Sequence, residues 1–205
     1  MYIPKHFEES NIEVLHEFIK CNPFAALITN TEDGLNTEHI PVYLNTENAN
    51  RVCVQGHIAT SNSLWKRSSP AQECLLIFQG SNAYITPNWF PSKETDGRVV
   101  PTWNYSVVHV RGNIEFIHEP AWKLELLNKL TAQHENTLNN PWKVSDAPPE
   151  FIQKLLPAIV GVEIVVNDIV GKFKLSQNQT QDNRTGIAEG LEKQGHEMAG
   201  QISKS

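Results

Sequence analysis

The chain has 205 residues, of which 40% are hydrophobic and 20% charged, and its formal net charge is −6. This is the balance of a globular protein, and the length suffices for one sizeable core or at most two small domains. No run approaches the roughly 18 apolar residues of a membrane-spanning helix, and the first residues lack the apolar segment of a secretory signal. We therefore expect a cytoplasmic protein with no membrane contact. The acidic charge disfavours sequence-independent binding to nucleic acid phosphates.

The cysteines do not suggest a cross-linked or metal-bound chain. Cys21, Cys53 and Cys74 are widely spaced, odd in number and form no CxxC pair, which argues against a disulfide framework and a zinc knuckle. Cys53 and Cys74 lie in apolar, strand-like runs and are expected to be inert buried thiols.

The N-terminal half predicts a helix followed by strands. Ser10 and Glu13 form a capping-box pattern ahead of a helical stripe, and Pro23 marks the end of that helix. A turn is expected at Glu32-Asp33-Gly34 and another at Gly80-Ser81-Asn82. The predicted strands are 24–29, 39–44, 51–57, 73–79 and 83–86, with a short helix over 59–67.

The C-terminal half begins with a long loop over 87–102, of a length that is usually functional when it is ordered. A strand is predicted over 106–117, a helix with Pro120 in its first turn over 120–135, and a short helix over 150–156. Two strands follow over 158–166 and 168–174, then a helix over 183–197 with fraying residues after it.

Short, closely spaced strands with few peripheral helices favour a closed or split β-barrel over a doubly wound sheet. Neither a GxGxxG nor a P-loop motif is present. The chain is expected to form a single domain over 1–205, with an N-terminal helix and a C-terminal helical extension over about 183–205.

One segment, Val99 to Gly112, hints at a ligand site. Trp103, Asn104 and Tyr105 place aromatic faces beside an amide at the mouth of a strand, an arrangement that suits a flat, hydrogen-bonding ligand.

Two histidines lie at strand ends beside hydroxyls or amides. His39 and His57, with Asn62 nearby, either bond to neighbouring carbonyls or form a polar rim for a ligand. Consecutive antiparallel strands can bring the two histidines together, but two histidines without a third ligand give a weak metal signal.

A basic strand end supplies groups suited to phosphate. Lys172 and Lys174 share one strand face, and Ser176 and Gln177 follow directly. These residues form either a solvated strand face or a phosphate pocket with two ammonium groups, a hydroxyl and an amide. No catalytic motif appears in the chain, which offers ligand-binding groups more clearly than catalytic ones, so the question of enzyme activity stays open.

The chain resembles the PaiB-type FMN-binding negative transcriptional regulators of bacteria. The resemblance runs in order from Met1 to about Leu191. Its matching segments are 1–7, His39-Ile40-Pro41, Gly56-His57-Ile58-Ala59, Phe78-Gln79-Gly80, Ala83-Tyr84-Ile85-Thr86-Pro87, 100–105 and 171–178. One departure is Ser61-Asn62-Ser63-Leu64-Trp65, where the family usually has Ala-Asn-Pro-Gln-Trp.

The resemblance implies a six-stranded antiparallel Greek-key FMN-binding split barrel that forms a homodimer with FMN between subunits. It also implies a role in regulating gene expression, of the kind that affects protease synthesis and sporulation. Within it, Trp103, Asn104 and Tyr105 are expected to contact the flavin ring. His39, His57 and Asn62 are expected along the ring or ribityl chain, and Lys172, Lys174, Ser176 and Gln177 at the phosphate end.

Several alternatives remain open from the sequence. The split-barrel class also contains flavin-dependent oxidoreductases such as flavin reductases, in which the cofactor carries the chemistry. A haem-handling split barrel would use His39 or His57 on iron, and a relic would bind no cofactor. DNA is kept as a partner of the regulator, although neither the net charge nor a recognisable motif supports direct contact.

Overall fold

The computed structural model describes residues 1–69 and 71–204, which contain seven strands and six α-helices. The strands are β1 (Glu8–Glu9), β2 (Phe24–Thr31), β3 (Gly34–Asn45), β4 (Cys53–Ala59), β5 (Gln72–Ile85), β6 (Thr102–Ile117) and β7 (Ile159–Lys174). The helices are α1 (Ile12–Cys21), α2 (Leu64–Arg67), α3 (Pro120–Glu135), α4 (Pro149–Leu155), α5 (Gln181–Lys193) and α6 (Ala199–Lys204).

The strands form one sheet in the order β1-β7-β4-β3-β2-β5-β6, and an additional pairing joins β7 to β6. Strands β2 to β7 therefore close into a ring of six, with β1 added outside it. The β1–β7, β2–β3, β2–β5, β3–β4 and β4–β7 pairs are antiparallel. The predicted mainly β, antiparallel fold is confirmed. The predicted count of six strands is wrong, because the sheet has a seventh strand, β1. Its two residues are too few to show a strand pattern in the sequence.

Two predicted strand breaks are also wrong. Strand β5 runs without a turn through Gly80, and β7 runs without a break through Asn167. A Cβ on Gly80 would lie 2.9 Å from two atoms of the Phe18 ring. This glycine thus permits close packing within a strand rather than a turn. The other predicted turn is confirmed: Gly34 has a φ of +104° at the start of β3.

The helices differ from prediction mainly at their ends. Helix α3 has its predicted bounds. The side chain that caps α1 belongs to Asn11 rather than Ser10, because Asn11 Oδ1 accepts the Glu13 N–H at 2.9 Å. The C-terminal extension begins two residues early and does not fray as expected, since Ile202 of α6 is buried.

The chain packs as two compact units. Unit 1 comprises Met1–Phe18, Gln79–Val108 and the segment from Val170 onward. Its core is formed where the 3-10 turn before Phe90 and the end of β5 meet α5 and α6. The buried side chains of that core are Ile85, Phe90, Leu175, Ile187, Leu191, Met198 and Ile202.

Unit 2 comprises Ile19–Phe78 and His109–Ile169 and contains the ring portions of the strands. Apolar side chains alternate inward along them, among them Leu27, Val54, Leu76, Val110 and Ile164, all fully buried. Where β6 meets β7, a Cβ on Gly112 would lie 2.4 Å from the Val165 carbonyl oxygen, so only glycine fits there. No helix in 1–69 or 71–204 is long and apolar enough to cross a membrane.

Candidate functional site

Unit 1 brings the start of β6 against the end of β7. Along β6, Asn104 and Ser106 point inward and are buried, whereas Trp103 is 54% exposed. Asn104 Nδ2 donates to Ser176 Oγ at 2.8 Å. Asn104 Oδ1 and Ser106 Oγ are buried and accept or donate no hydrogen bond within the described residues. Buried polar atoms without a partner are costly and mark places where a bound group or solvent completes the bonding.

The turn after β7 is held by its own side chains. Ser176 is buried and adopts a φ of +65°, the left-handed region that few residues other than glycine favour. Gln177 fixes this turn from both ends of its amide: Nε2 donates to the Phe173 carbonyl at 2.6 Å, and Oε1 accepts the Leu175 N–H at 2.8 Å. Both polar atoms of the Gln177 amide therefore form hydrogen bonds within the turn.

Two lysines lie beside this turn on the same face of β7. Lys174 Nζ donates to Thr102 Oγ1, and Lys172 Nζ lies 5.3 Å from the Tyr105 ring centroid. Lys172 also donates to the Tyr2 carbonyl at 3.2 Å. Burial lowers the pKa of Lys174, and the neighbouring Lys172 charge lowers it further, against an opposing effect of Tyr105.

Glu8 of β1 lies opposite Lys172 in the strand register, but the two residues form no ion pair. Among the ion pairs of the described residues, none involves Lys172 or Lys174. Two ammonium groups close enough to repel each other, with the hydroxyls of Thr102 and Ser176 nearby, form a donor set that suits a phosphate.

An aromatic cavity of about 500 Å³ also lies in unit 1. The rings of Tyr84 and Trp103 meet edge to face at 6.1 Å and form part of its wall. Trp89, Gln194 and His196 line it as well, so the C-terminal extension contributes to the cavity. Flat ring surfaces and a few polar groups are typical of small-molecule sites.

The other three predicted residues lie in unit 2. His39 is exposed and stacks on Phe24 with ring centroids 6.1 Å apart. His57 is half-buried, its Nδ1 has no partner within the described residues, and burial lowers its pKa. Asn62 Oδ1 accepts the Leu64 N–H at 2.9 Å, at the start of α2.

The strand register places the two histidines on one face. Val42 of β3 pairs with Gly56 of β4, so His57 falls opposite Pro41, two residues from His39. Residues two apart on a strand share a face, which makes the histidines diagonal neighbours. No group of three or more His, Cys, Asp or Glu in the described part of the chain could hold a metal ion.

The thiols of the two buried cysteines are expected to be unreactive. Cys53 and Cys74 are buried, as predicted, and burial raises the pKa of both thiols, that of Cys74 to about 12. A thiol that stays protonated is a poor nucleophile.

Sequence reasoning missed two residues. Tyr2 contacts Lys172 through its carbonyl, and no sequence pattern indicated this contact. Thr102, which contacts Lys174, was indicated together with Asn104 as a polar residue that a core strand does not need. Lys123 of α3 is buried beside a second cavity in unit 2. A lysine in an amphipathic helix is normally read as solvent-exposed, so the sequence gave no signal for it.

The family described as "Putative FMN-binding domain" matches residues 1–168. The chain belongs to this family. It is 31% identical over 204 residues to "Protease synthase and sporulation protein PAI 2" of Bacillus subtilis, covering 100% of this chain and 95% of that protein. An uncharacterized protein of Aspergillus fumigatus is 31% identical over 250 residues, covering 100% and 96%.

Solved structures of low sequence identity share the fold. The FAD and haem binding protein from Mycobacterium smegmatis has a TM-score of 0.61 at 14% identity, over 90% of this chain and 80% of that one. The flavocytochrome Anf3 from Azotobacter vinelandii has a TM-score of 0.59 at 12% identity, over 84% and 72%. The fold is thus the split barrel of flavin-binding proteins.

Family membership makes FMN the cofactor, and the residues of unit 1 fit it. FMN carries a dianionic phosphate and a flat ring. Unit 1 holds two lysines that form no ion pair within the described residues, together with exposed aromatic rings. The segment from Lys172 to Gln177 lies beyond the residues matched by the family model but within the full-length match to the Bacillus subtilis protein. When bound, FMN supplies redox chemistry that amino acid side chains lack.

Proposed function

We propose that this chain is an FMN-binding regulator of the PaiB type, a homodimer of the cytoplasm that affects gene expression. Its 31% identity to a protein named for protease synthesis and sporulation, over the full chain, supports the regulatory part. The net charge of −6 favours action through a partner protein over direct contact with DNA. Disruption of the gene in its own host, followed by measurement of secreted protease, tests this part; unchanged protease levels and an unchanged transcript profile would contradict it.

The phosphate of FMN is proposed to bind Lys172 and Lys174, with the hydroxyls of Thr102 and Ser176. The observation that carries this is that neither of these half-buried lysines forms an ion pair within the described residues, although Glu8 of β1 lies opposite Lys172 in the strand register. A dianion offsets their mutual repulsion and raises the lowered pKa of Lys174. Asn104 is buried and positions Ser176, while Trp103 and Tyr105 offer ring contacts. His39, His57 and Asn62 are also proposed as flavin contacts.

The visible spectrum of the purified protein and an FMN titration test cofactor binding directly. We expect flavin absorption bands and saturable binding. Lys174→Ala is expected to weaken FMN binding by about tenfold or more, since a charge-assisted phosphate contact contributes on the order of 1.5–3 kcal/mol. Lys193→Ala, on the last turn of α5 in the same unit, is the matched control and should leave the affinity unchanged. Equal FMN affinity in Lys174→Ala and the wild type would remove the lysine pair from the site.

A flavin-dependent oxidoreductase is the second candidate. The aromatic cavity of unit 1, walled by Tyr84 and Trp103, has room for a planar partner molecule such as a nicotinamide. Oxidation of NADH or NADPH by the FMN-loaded protein, at rates above that of free FMN, would favour the enzyme over the regulator. A Soret band instead of flavin bands would favour the haem-handling alternative, with His57 as the candidate iron ligand because its buried Nδ1 has no hydrogen-bond partner among the described residues.

A further inference from the structure

A second cavity, of about 540 Å³, lies within unit 2 beside the start of α3. Its wall includes Thr60, Trp65, His118, Lys123, Gln153 and Leu156, and no aspartate or glutamate lines it. The volume is in the range of cavities that bind small organic molecules. Nothing in the proposed role of the unit 1 lysines uses this cavity.

Lys123 gives the cavity a buried positive charge. The residue is only 4% exposed, and its Nζ donates to the carbonyl oxygens of Leu156 at 2.6 Å and Ile159 at 3.1 Å. An ammonium group has three N–H donors, so one remains after these two bonds. No carboxylate in 1–69 or 71–204 forms an ion pair with Lys123. A buried cation with only carbonyl partners favours the entry of an anion.

Besides this charged group, the cavity has an aromatic wall formed by Trp65 and His118. The Trp65 and His118 rings meet edge to face with centroids 5.1 Å apart. Trp65 Nε1 donates to the Thr60 carbonyl at 3.0 Å, which holds the indole in place. The ammonium of Lys66 lies 4.9 Å from the Trp65 centroid and adds to the positive potential. A rigid indole face is suited to stacking on a planar ring.

We propose that this cavity binds a small planar aromatic carboxylate, with its ring against Trp65 and its carboxylate at Lys123. The charge of Lys123 selects the anion, and the aromatic wall selects the flat ring. The chain would then bind a small organic acid at a site separate from the phosphate-binding lysines of unit 1, whether or not those lysines bind FMN.

The probe is 2-naphthoate, with neutral 2-naphthamide as its comparison. Binding is followed in the FMN-loaded protein by the NMR signal of the Trp65 indole N–H, assigned with Trp65→Phe. Lys123→Met removes the charge and keeps an apolar stem of similar length. Lys154→Met, at an exposed lysine of α4, is the matched control. If Lys123→Met does not fold by circular dichroism, His118→Ala replaces it, because His118 is exposed.

We expect 2-naphthoate to bind the wild type and Lys154→Met about tenfold more tightly than 2-naphthamide. In Lys123→Met the two probes should bind within about twofold of each other. In His118→Ala both should weaken while the preference for the carboxylate stays. Three results would overturn the proposal: no shift of the Trp65 signal, equal affinities in the wild type, or binding of 2-naphthoate only after FMN has been removed, which would show that the cofactor occupies the cavity. Loss of FMN binding in Lys174→Ala bears only on the unit 1 site.

Discussion

Glu163 of β7 is a buried carboxylate whose partners are both side chains. Arg51 Nη2 lies 2.8 Å from Oε1, and Gln55 Nε2 donates to Oε2 at 2.6 Å. Replacing Gln55 with Met keeps its length but leaves one buried carboxylate oxygen without its donor. We expect a loss of about 1–3 kcal/mol in the free energy of unfolding, measured with urea. The control is Glu73→Gln, because the Arg111–Glu73 pair spans 3.5 Å and both side chains are more than half exposed. Its expected cost is below about 1 kcal/mol, and equal losses in both variants would contradict the reasoning.

His57 links the fold to pH. Burial lowers its pKa from the ordinary value of 6.5, so the unfolded chain takes up the proton first as the pH falls. The stability that neutral His57 contributes is present above the unfolded pKa and is lost as the pH falls through the folded pKa. Between about pH 7.5 and 5, the wild type should lose more stability than His57→Gln in urea titrations. Parallel pH curves for the two proteins would show that His57 titrates as it does in the unfolded chain.

At the scale of elements, helix α5 packs against Trp89 through two glycines. A Cβ on Gly190 would lie 2.4 Å from the Trp89 ring, and one on Gly186 would lie 2.2 Å from the Trp89 carbonyl oxygen, so Trp89 has no room to move away. Gly190→Ala gains about 1 kcal/mol of helix propensity but should lose about 1–3 kcal/mol to overpacking, a net destabilisation. Gly200→Ala on α6 meets nothing within 4 Å and should be neutral or stabilising. Thermal unfolding of both variants checks this, and a more stable Gly190→Ala would contradict the close contact.

The same elements show where sequence patterns stop being informative. Helix α3 has its predicted bounds because a proline in the first turn is a local signal. Gly80 was misread as a turn because its reason for being glycine is the Phe18 ring, 62 positions away in the chain, and no local pattern records such a contact. The capping residue of α1 was missed by one position, since Ser10 and Asn11 are both good caps and only the backbone geometry selects between them.

For the whole molecule, strand spacing favoured a β-barrel, and the family resemblance carried by motifs spread along the chain implied six strands and the flavin-binding class. The contacts between residues far apart in the chain could not be predicted in this way. The Asn104–Ser176 and Lys174–Thr102 contacts each join residues 72 positions apart, so they depend on how two strands lie within unit 1. Lys123 is a further example: its burial depends on the carbonyls of Leu156 and Ile159, which the local sequence of α3 does not reveal.

Cofactor binding should couple to the stability of the whole fold, and the phosphate should decide how strongly. A ligand that binds only the folded chain raises its free energy of unfolding by about 2.7 kcal/mol at one hundred times its dissociation constant. Riboflavin has the ring of FMN but no phosphate, so at equal concentration it should raise the melting temperature less. In a Lys172→Ala/Lys174→Ala double variant, FMN should lose this advantage and behave like riboflavin, because the charges that select the phosphate are gone. Melting curves with each flavin, recorded at low and high salt, measure the effect, and the FMN advantage of the wild type should shrink as salt screens the lysines. A double variant that keeps the full FMN advantage would place the phosphate elsewhere in the chain.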